Sequence, residues 1–159
     1  MTEIEYILTF LPQELAAVFR RADSNILYRI SEIRLRKNNY LVVVIKNSSY
    51  FMDEGGDLYD YPSGRCVKIS AESLDEMFLA FCEYSLYSNA ENIKKGFITL
   101  ANGARIGIAG TAVYDSGTIL SVKDITSLNI RIPREVKGCS ESVLNFLYVN
   151  AFPSVIVAG

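Results

Sequence analysis

Residues 96–135 constrain the fold of this chain more than any other part of its sequence. They combine glycines, β-branched residues and turn signals more densely than any other segment. The dipeptide Asn102-Gly103 between two apolar runs is a strong β-hairpin signal, and Asp115-Ser116-Gly117 marks a second turn. This stretch predicts three or four consecutive strands joined by tight turns, with the preceding residues as supporting structure.

The glycines of this stretch resemble a phosphate-binding loop only at first sight. A dinucleotide-binding motif requires a strand, then glycines, then the start of a helix, and a P-loop also requires a lysine. Gly107 and Gly110 instead lie inside a predicted strand, with no such lysine nearby. We therefore interpret them as structural glycines that permit a bulge or a close backbone approach.

The last strand of the stretch shows strict alternation. Leu128, Ile130 and Ile132 share one face, which we expect to be buried. Asn129 and Arg131 share the other face, which we expect to be exposed.

The residues before this stretch predict helices and a second group of strands. Apolar spacing indicates helices after Thr2 and from Pro12, with Asp23 or Ser24 able to cap a third short segment. Predicted strands at residues 32–36, 41–45 and 50–52 form an antiparallel meander, and 53–64 reads as a solvated acidic loop. A short strand at 66–69, a helix opening at Ser70 or Ala71, and a short helix at 89–95 complete the series.

Together these patterns predict an α+β fold in which a mostly antiparallel sheet packs against helices. We divide the chain into a helical N-terminal segment at 1–30, an α+β domain at 31–135, and a linker helix with one strand at 136–159. The helix of the last part is expected at 140–149 and the strand at 154–158. Such an apolar strand ending on glycine precedes the Walker A loop of nucleotide-binding proteins, which indicates an N-terminal piece of a longer protein.

Composition excludes several kinds of chemistry. The chain has no histidine, and its three cysteines are widely separated, so Cys/His zinc sites and histidine-based catalysis are excluded. We accordingly predict no catalytic residue and no metal ligand. A formal net charge of -2 argues against general binding of nucleic acid backbones. The N-terminus lacks the positive charge of a signal peptide, and no apolar run is long enough to span a bilayer.

Four segments carry a resemblance to a known family. EIRLR at 32–36, FCEYSLYS at 81–88, GFITLANGARIGIAGTAV at 96–113 and ITSLNIRIPRE at 125–135 resemble the stage III sporulation AA family. That family is similar to the secretion-type ATPases of the RecA-like P-loop class. The resemblance implies that the family continues past Gly159 into Walker A and the ATPase core, so we expect this chain alone to be inactive.

The resemblance also implies a nucleotide-contacting role for arginines. In relatives, arginines of the N-terminal domain reach nucleotide phosphates at the domain interface, and the matching positions here are Arg131, Arg134 and, less closely, Arg105. ATP and Mg would be cofactors of the full-length protein, with none in this fragment. The alternative is that these arginines are ordinary surface residues or ion-pair partners.

Two functions from different classes follow. The first is a non-catalytic assembly and nucleotide-sensing domain of a sporulation ATPase at the mother cell–forespore channel, which the resemblance implies. Its partners would be its own ATPase domain, neighbouring subunits of a hexamer and membrane components of the channel, with a cytoplasmic, peripheral location in the mother cell. The second is an autonomous peptide- or oligonucleotide-binding module that uses the exposed sheet face, with Tyr84, Tyr87 and Tyr114 as stacking residues.

Overall fold

The structure is a computed structural model that describes residues 2–134 and 138–150. The helices are α1 (Glu3–Leu8), α2 (Gln13–Arg21), α3 (Ser24–Arg29), α4 (Ala71–Phe81), α5 (Ala90–Lys94) and α6 (Glu141–Asn150). The strands are β1 (Ile30–Arg36), β2 (Asn39–Tyr40), β3 (Val42–Ile45), β4 (Ser48–Met52), β5 (Leu58–Tyr59), β6 (Lys68–Ile69), β7 (Phe97–Thr99), β8 (Arg105–Asp115) and β9 (Thr118–Arg131). This composition confirms the predicted α+β class.

Seven strands form one sheet in the order β5-β4-β3-β1-β9-β8-β7, and every neighbouring pair in it is antiparallel. The predicted meander is confirmed as β1, β3 and β4. The strands of the 96–135 stretch join it through the pairing of β9 with β1. β2 and β6 form a separate two-stranded sheet.

The predicted helix starts are confirmed by their capping hydrogen bonds. The Thr2 hydroxyl accepts from the Glu5 amide at 3.3 Å, and the Asp23 carboxylate accepts from the Asn25 amide at 2.7 Å. The Ser70 hydroxyl accepts from the Ser73 amide at 3.1 Å. These side chains satisfy amides that have no partner within the first helical turn.

One hydrophobic core lies between the helices and one face of the sheet. α1, α2, α4 and α5 contribute to it, and the rings of Phe10 and Phe81 stack within it at 5.4 Å between centroids. The sheet contributes a continuous row from β7 to β3: Ile98, Ile106, Ile130, Ile33 and Val43. The opposite face of the sheet, which we call the outer face, is therefore left for other contacts.

The hairpin at Asn102-Gly103 is confirmed, with a three-residue loop. The Gly103 amide donates to the Leu100 carbonyl at 2.9 Å, and the Leu100 amide donates to the Ala104 carbonyl at 2.8 Å. Gly103 has a φ of +83°, a left-handed conformation that glycine adopts without steric cost. This is the geometry of a type I turn followed by a glycine bulge.

The second half of the stretch is a single strand, β9, so the stretch contains three strands, within the predicted three or four. Ala109 pairs with Ser127, but the next paired residue of β8, Thr111, pairs with Lys123. Residues 124–126 of β9 therefore lie opposite the single residue Gly110, so the bulge is on β9 and the ladder continues beyond it. The predicted bulge or close backbone approach is confirmed at Gly110, where backbone atoms of Lys123 and Asp124 lie close to the glycine. Beyond the bulge, β8 and β9 pair with each other and with no other strand of the described residues.

The acidic loop at 53–64 differs from its predicted, solvated form because Asp53 is buried. Its carboxylate accepts hydrogen bonds from the amides of Gly55 and Asp57 at 2.9 and 3.0 Å and from the Tyr59 hydroxyl at 3.2 Å. Burial raises the pKa of the Asp53 carboxyl, but these bonds outweigh burial and hold the pKa below its ordinary value. Asp53 thus organises the turn that leads into β5.

The end of the chain is described only in part. The predicted helix at 140–149 is present as α6, whereas the predicted strand at 154–158 lies outside the described residues. Within residues 2–134 and 138–150, no helix is long and apolar enough to cross a membrane.

Candidate functional site

The outer face carries a concentration of arginines on three adjacent strands. Strand pairing places Arg105 of β8, Arg131 of β9 and Glu32 of β1 side by side in one row. Arg34 follows two residues along β1, and Arg36 two residues further, so both share this face. Four arginines and one carboxylate therefore lie together in a protein whose formal net charge is -2.

Arg105 and Arg131 are direct partners across the β8–β9 ladder. Like charges in this position destabilise a sheet, because their Cβ atoms lie only about 5 Å apart. Both side chains are exposed, and that of Arg131 forms no hydrogen bond or ion pair with any described residue. The guanidinium carbon of Arg105 lies 5.9 Å from the centroid of the Phe97 ring. Such a pair of adjacent, uncompensated guanidiniums is suited to binding an anion.

Glu32, the single carboxylate of these rows, is already engaged. It accepts from the Arg34 guanidinium at 2.7 Å, and the same guanidinium donates to the Ser49 hydroxyl at 3.3 Å. The Glu32 side chain is only 14% exposed. Since Glu32 is held by Arg34, it leaves the positive charge of Arg105 and Arg131 largely uncompensated.

Arg134 lies elsewhere and makes different contacts. Its guanidinium donates to the carbonyls of Ile30 and Leu27, at the C-terminal end of α3, and lies 5.2 Å from the centroid of the Tyr28 ring. Carbonyls in the last turn of a helix have no partner within it, so a cation there is stabilising. The structure thus brings together two of the three predicted site residues, Arg105 and Arg131, and places Arg134 as a cap of α3.

A bare position lies next to the two arginines. Gly107 pairs with Asn129 on one side and with Phe97 on the other, one row along from Arg105 and Arg131. A Cβ at Gly107 would meet, within 4 Å, only Asn129 atoms at 3.6 and 3.7 Å. Asn129 Oδ1 is shielded from solvent and accepts no hydrogen bond from any described residue.

Sequence reasoning missed Phe97, Gly107 and Asn129 as members of this site. The alternation of β9 does predict that Asn129 and Arg131 share a face, and the alternation of β8 groups Arg105 with Gly107. The missing information was the register of β8 against β9, which no local pattern supplies. The three tyrosines are not gathered on the outer face in the same way: Tyr84 and Tyr87 follow α4, and Tyr114 lies near the far end of β8.

No other feature of the described residues competes with this site as a centre of chemistry. Among them, no group of three or more Cys, Asp or Glu side chains could hold a metal ion. A cleft of about 930 Å³ lies between α2, β6 and the start of α4, and one of about 480 Å³ lies beside Arg134. Neither cleft is lined by Arg105 or Arg131. The buried thiol of Cys82 has its pKa raised by burial to about 11, so it stays protonated.

The fold and the site define a class: an α+β domain with one buried sheet face and an arginine-bearing face suited to anions. A family model described as "Sporulation stage III, protein AA" matches residues 1–157. The chain therefore belongs to that family, as the four segments resembling it predicted.

Known proteins that are similar to the chain include a sporulation protein and a solved ATPase structure. Stage III sporulation protein AA of Bacillus subtilis (strain 168) is 26% identical over 153 residues, covering 96% of this chain and 46% of the relative. The chain thus spans about half the length of that relative. A crystal structure of the VirB11 ATPase from the Brucella suis type IV secretion system, in complex with sulphate, matches with a TM-score of 0.43 and 16% identity. That match covers 99% of this chain and 39% of the VirB11 chain.

Proposed function

We propose that this chain is the assembly and nucleotide-sensing domain of a sporulation ATPase that serves the mother cell–forespore channel. Membership of the sporulation stage III protein AA family supports the sporulation role. In this proposal the domain hydrolyses nothing itself. It binds the nucleotide held by the ATPase domain and reports its phosphate state to neighbouring subunits.

The adjacent, uncompensated guanidiniums of Arg105 and Arg131 are the observation that carries this proposal. Arginine side chains bind phosphate oxygens through two parallel N–H groups, and such charge-assisted hydrogen bonds are stronger than neutral ones. A phosphate group bound there would also remove the repulsion between the two side chains. The site therefore distinguishes a nucleotide whose terminal phosphate contacts Arg105 and Arg131 from a nucleotide that lacks this phosphate.

Arg134 has a separate role in this proposal. By holding the carbonyls of Leu27 and Ile30, it fixes the direction in which the chain leaves the sheet after Ile132. The amide of Ile132 donates to the carbonyl of Ser31 at 3.0 Å and adds to that anchor. The nucleotide-contacting role predicted for Arg134 then requires its guanidinium to leave α3.

The remaining parts of the proposal concern the whole protein. These parts all depend on the ATPase domain: hexameric assembly, contact with membrane components of the channel, a cytoplasmic location in the mother cell, and ATP with Mg as cofactors.

Translating the gene beyond residue 159 is the first test, because the proposal expects the sequence GxxxxGK[ST] within a few residues. A stop codon at that point contradicts the proposal.

The second test uses the product of the complete reading frame that encodes this chain. Arg105→Gln and Arg131→Gln are each expected to weaken ATP binding about tenfold, the effect of losing one charge-assisted hydrogen bond. Turnover should fall as well. Arg36→Gln is the matched control. It removes an exposed arginine from the same outer face, two side-chain rows away from the row that holds Arg105, Arg131 and Glu32.

The outcomes separate the proposal from the ordinary surface role of these arginines. Loss of ATP affinity in the two site variants, with unchanged thermal unfolding and an unaffected Arg36 control, supports nucleotide contact. Unchanged affinity and turnover in both site variants would return Arg105 and Arg131 to a surface role. An equal loss in all three variants would indicate a general effect of charge and not a site.

A further inference from the structure

We propose that the bare position at Gly107 is a shelf for the aromatic base of the nucleotide whose phosphates bind Arg105 and Arg131. This inference rests on the proposed function and deepens it, because it identifies what holds the other end of the ligand. The shelf consists of the Gly107 backbone with Phe97 on one side and Asn129 on the other.

The space above Gly107 is open. An added Cβ would make only ordinary van der Waals contacts, at 3.6 Å to the Asn129 Cβ and 3.7 Å to its carbonyl oxygen. In a sheet, the side chain of each residue normally covers the backbone that a ligand would need to reach. Glycine in a strand interior often marks a place where a ligand or another backbone approaches closely.

Phe97 supplies an aromatic wall for this space. It is paired with Gly107 on the outermost strand of the sheet, and the residue is 37% exposed. The ring is also within cation–π distance of the Arg105 guanidinium, which ties it to the anion site. A flat ring seated on Gly107 would contact Phe97 while its charged substituent points toward Arg105.

The spacing of the sheet suits a nucleotide. Gly107 and Arg105 are two residues apart on one strand, a separation of about 6.6 Å. That is comparable to the separation of a base and the first phosphate of its nucleotide, and the long side chains of Arg105 and Arg131 allow their guanidiniums to reach the phosphates beyond it. Arg131 lies across from Arg105, so both guanidiniums reach the phosphate end and neither is needed over the base.

Asn129 supplies hydrogen bonding at the edge of the shelf. Its Oδ1 has no donor among the described residues although solvent does not reach it, and a buried unpaired acceptor is costly. Turning this amide toward the shelf would expose Oδ1 to an N–H group of the base and would remove the deficit. The shelf therefore favours a ligand that combines an aromatic ring, an N–H donor and an anionic group, as an adenine nucleotide does.

The test compares ATP with inorganic triphosphate on the product of the complete reading frame. Gly107→Val fills the shelf, and the variant is expected to fold because an added Cβ meets only ordinary van der Waals contacts and valine suits a strand. Ala109→Val is the matched control: it adds a similar side chain on the same face of the same strand, one row farther from the arginines. Arg131→Gln tests the phosphate end.

The shelf predicts that Gly107→Val weakens ATP binding about tenfold, near the low end of what base stacking contributes, and leaves triphosphate binding unchanged. Ala109→Val should change neither ligand. If Gly107→Val weakens ATP and triphosphate binding equally, or leaves ATP binding unchanged, the shelf is overturned. The proposed function survives that result if Arg131→Gln still weakens the binding of both ligands. No effect of Arg131→Gln on either ligand would overturn both proposals.

Discussion

Replacing Gly110 by alanine tests the bulge that joins the sheet to the β8–β9 ribbon, by which we mean residues 111–123 beyond Gly110. An added Cβ would lie 2.6 Å from the Lys123 carbonyl oxygen, 3.0 Å from Val122 Cγ1 and 3.1 Å from the Asp124 carbonyl oxygen. Two of these neighbours are backbone atoms, so the strands must separate by several tenths of an ångström. Overpacking of this kind costs about 1–3 kcal/mol.

The β8–β9 ribbon limits how much Gly110→Ala can lower the free energy of unfolding of the whole domain. A two-stranded ribbon with no third strand is only marginally stable, so it can open locally and relieve the clash. We therefore expect Gly110→Ala to lower the free energy of unfolding by about 2 kcal/mol at most, or about 1 M in the urea midpoint for a slope of about 2 kcal/mol/M. Hydrogen exchange should show lost protection at residues 111–123 and retained protection at Ile106 and Ile130.

Gly107→Ala on the same strand is the control. Its Cβ makes only ordinary contacts and its φ is not left-handed, so the free energy of unfolding should stay within about 1 kcal/mol of the parent. An unchanged urea midpoint and unchanged exchange for Gly110→Ala would refute the close approach of β9 to Gly110. Equal losses for both variants would show that strand glycines are needed for a reason other than this contact.

Further outcomes follow from Asp53, Arg134 and the cysteines. Asp53→Ala leaves two amides and a hydroxyl without their acceptor and should lower the free energy of unfolding by about 2–3 kcal/mol, measured by urea titration. Because the folded-state pKa of Asp53 is depressed, the stability that its carboxylate contributes is present above the ordinary pKa of 3.8 and is lost as pH falls through the folded-state pKa. The difference in free energy of unfolding between the parent and Asp53→Ala should therefore shrink on acidification, and a difference that stays constant between pH 2 and 6 would contradict this. Arg134→Gln should lower the thermal midpoint by uncapping α3, whereas an unchanged midpoint would indicate that the carbonyls of Leu27 and Ile30 do not need the guanidinium. At pH 8, a thiol reagent should modify exposed Cys139 quickly and buried Cys82 only after denaturation; rapid native labelling of Cys82 would contradict its burial.

Local signals in the sequence were sufficient for most of the elements. Caps at Thr2, Asp23 and Ser70, the hairpin at Asn102-Gly103 and the alternation of β1 and β9 each depend on a few neighbouring residues. They appear in the structure because the tertiary contacts reinforce the same local preferences. The fold class followed from these elements together.

The features that sequence reasoning missed depend on contacts between distant residues. Nothing near Gly110 shows that the ladder continues past it, because the carbonyl it meets belongs to Lys123 on another strand. The burial of Asp53 depends on a turn that brings Gly55, Asp57 and Tyr59 around one carboxylate, while the local composition indicated a solvated loop.

The same limit applied to the site. The sequence indicated Arg105 and Arg131 as nucleotide contacts only through the family resemblance, and their adjacency depends on the β8–β9 register. That register also places Gly107 and Asn129 beside them.

The proposed role of Arg105 and Arg131 is to bind the phosphates of a nucleotide on the outer face of the sheet. The most direct measurement is NMR of arginine side-chain N–H groups during titration of ATP into the product of the complete reading frame. We expect shifted signals for Arg105 and Arg131 and unchanged signals for Arg20 and Arg29, which lie on α2 and α3 away from that face. Unchanged signals for Arg105 and Arg131 in the presence of bound ATP would contradict the proposed role of these arginines.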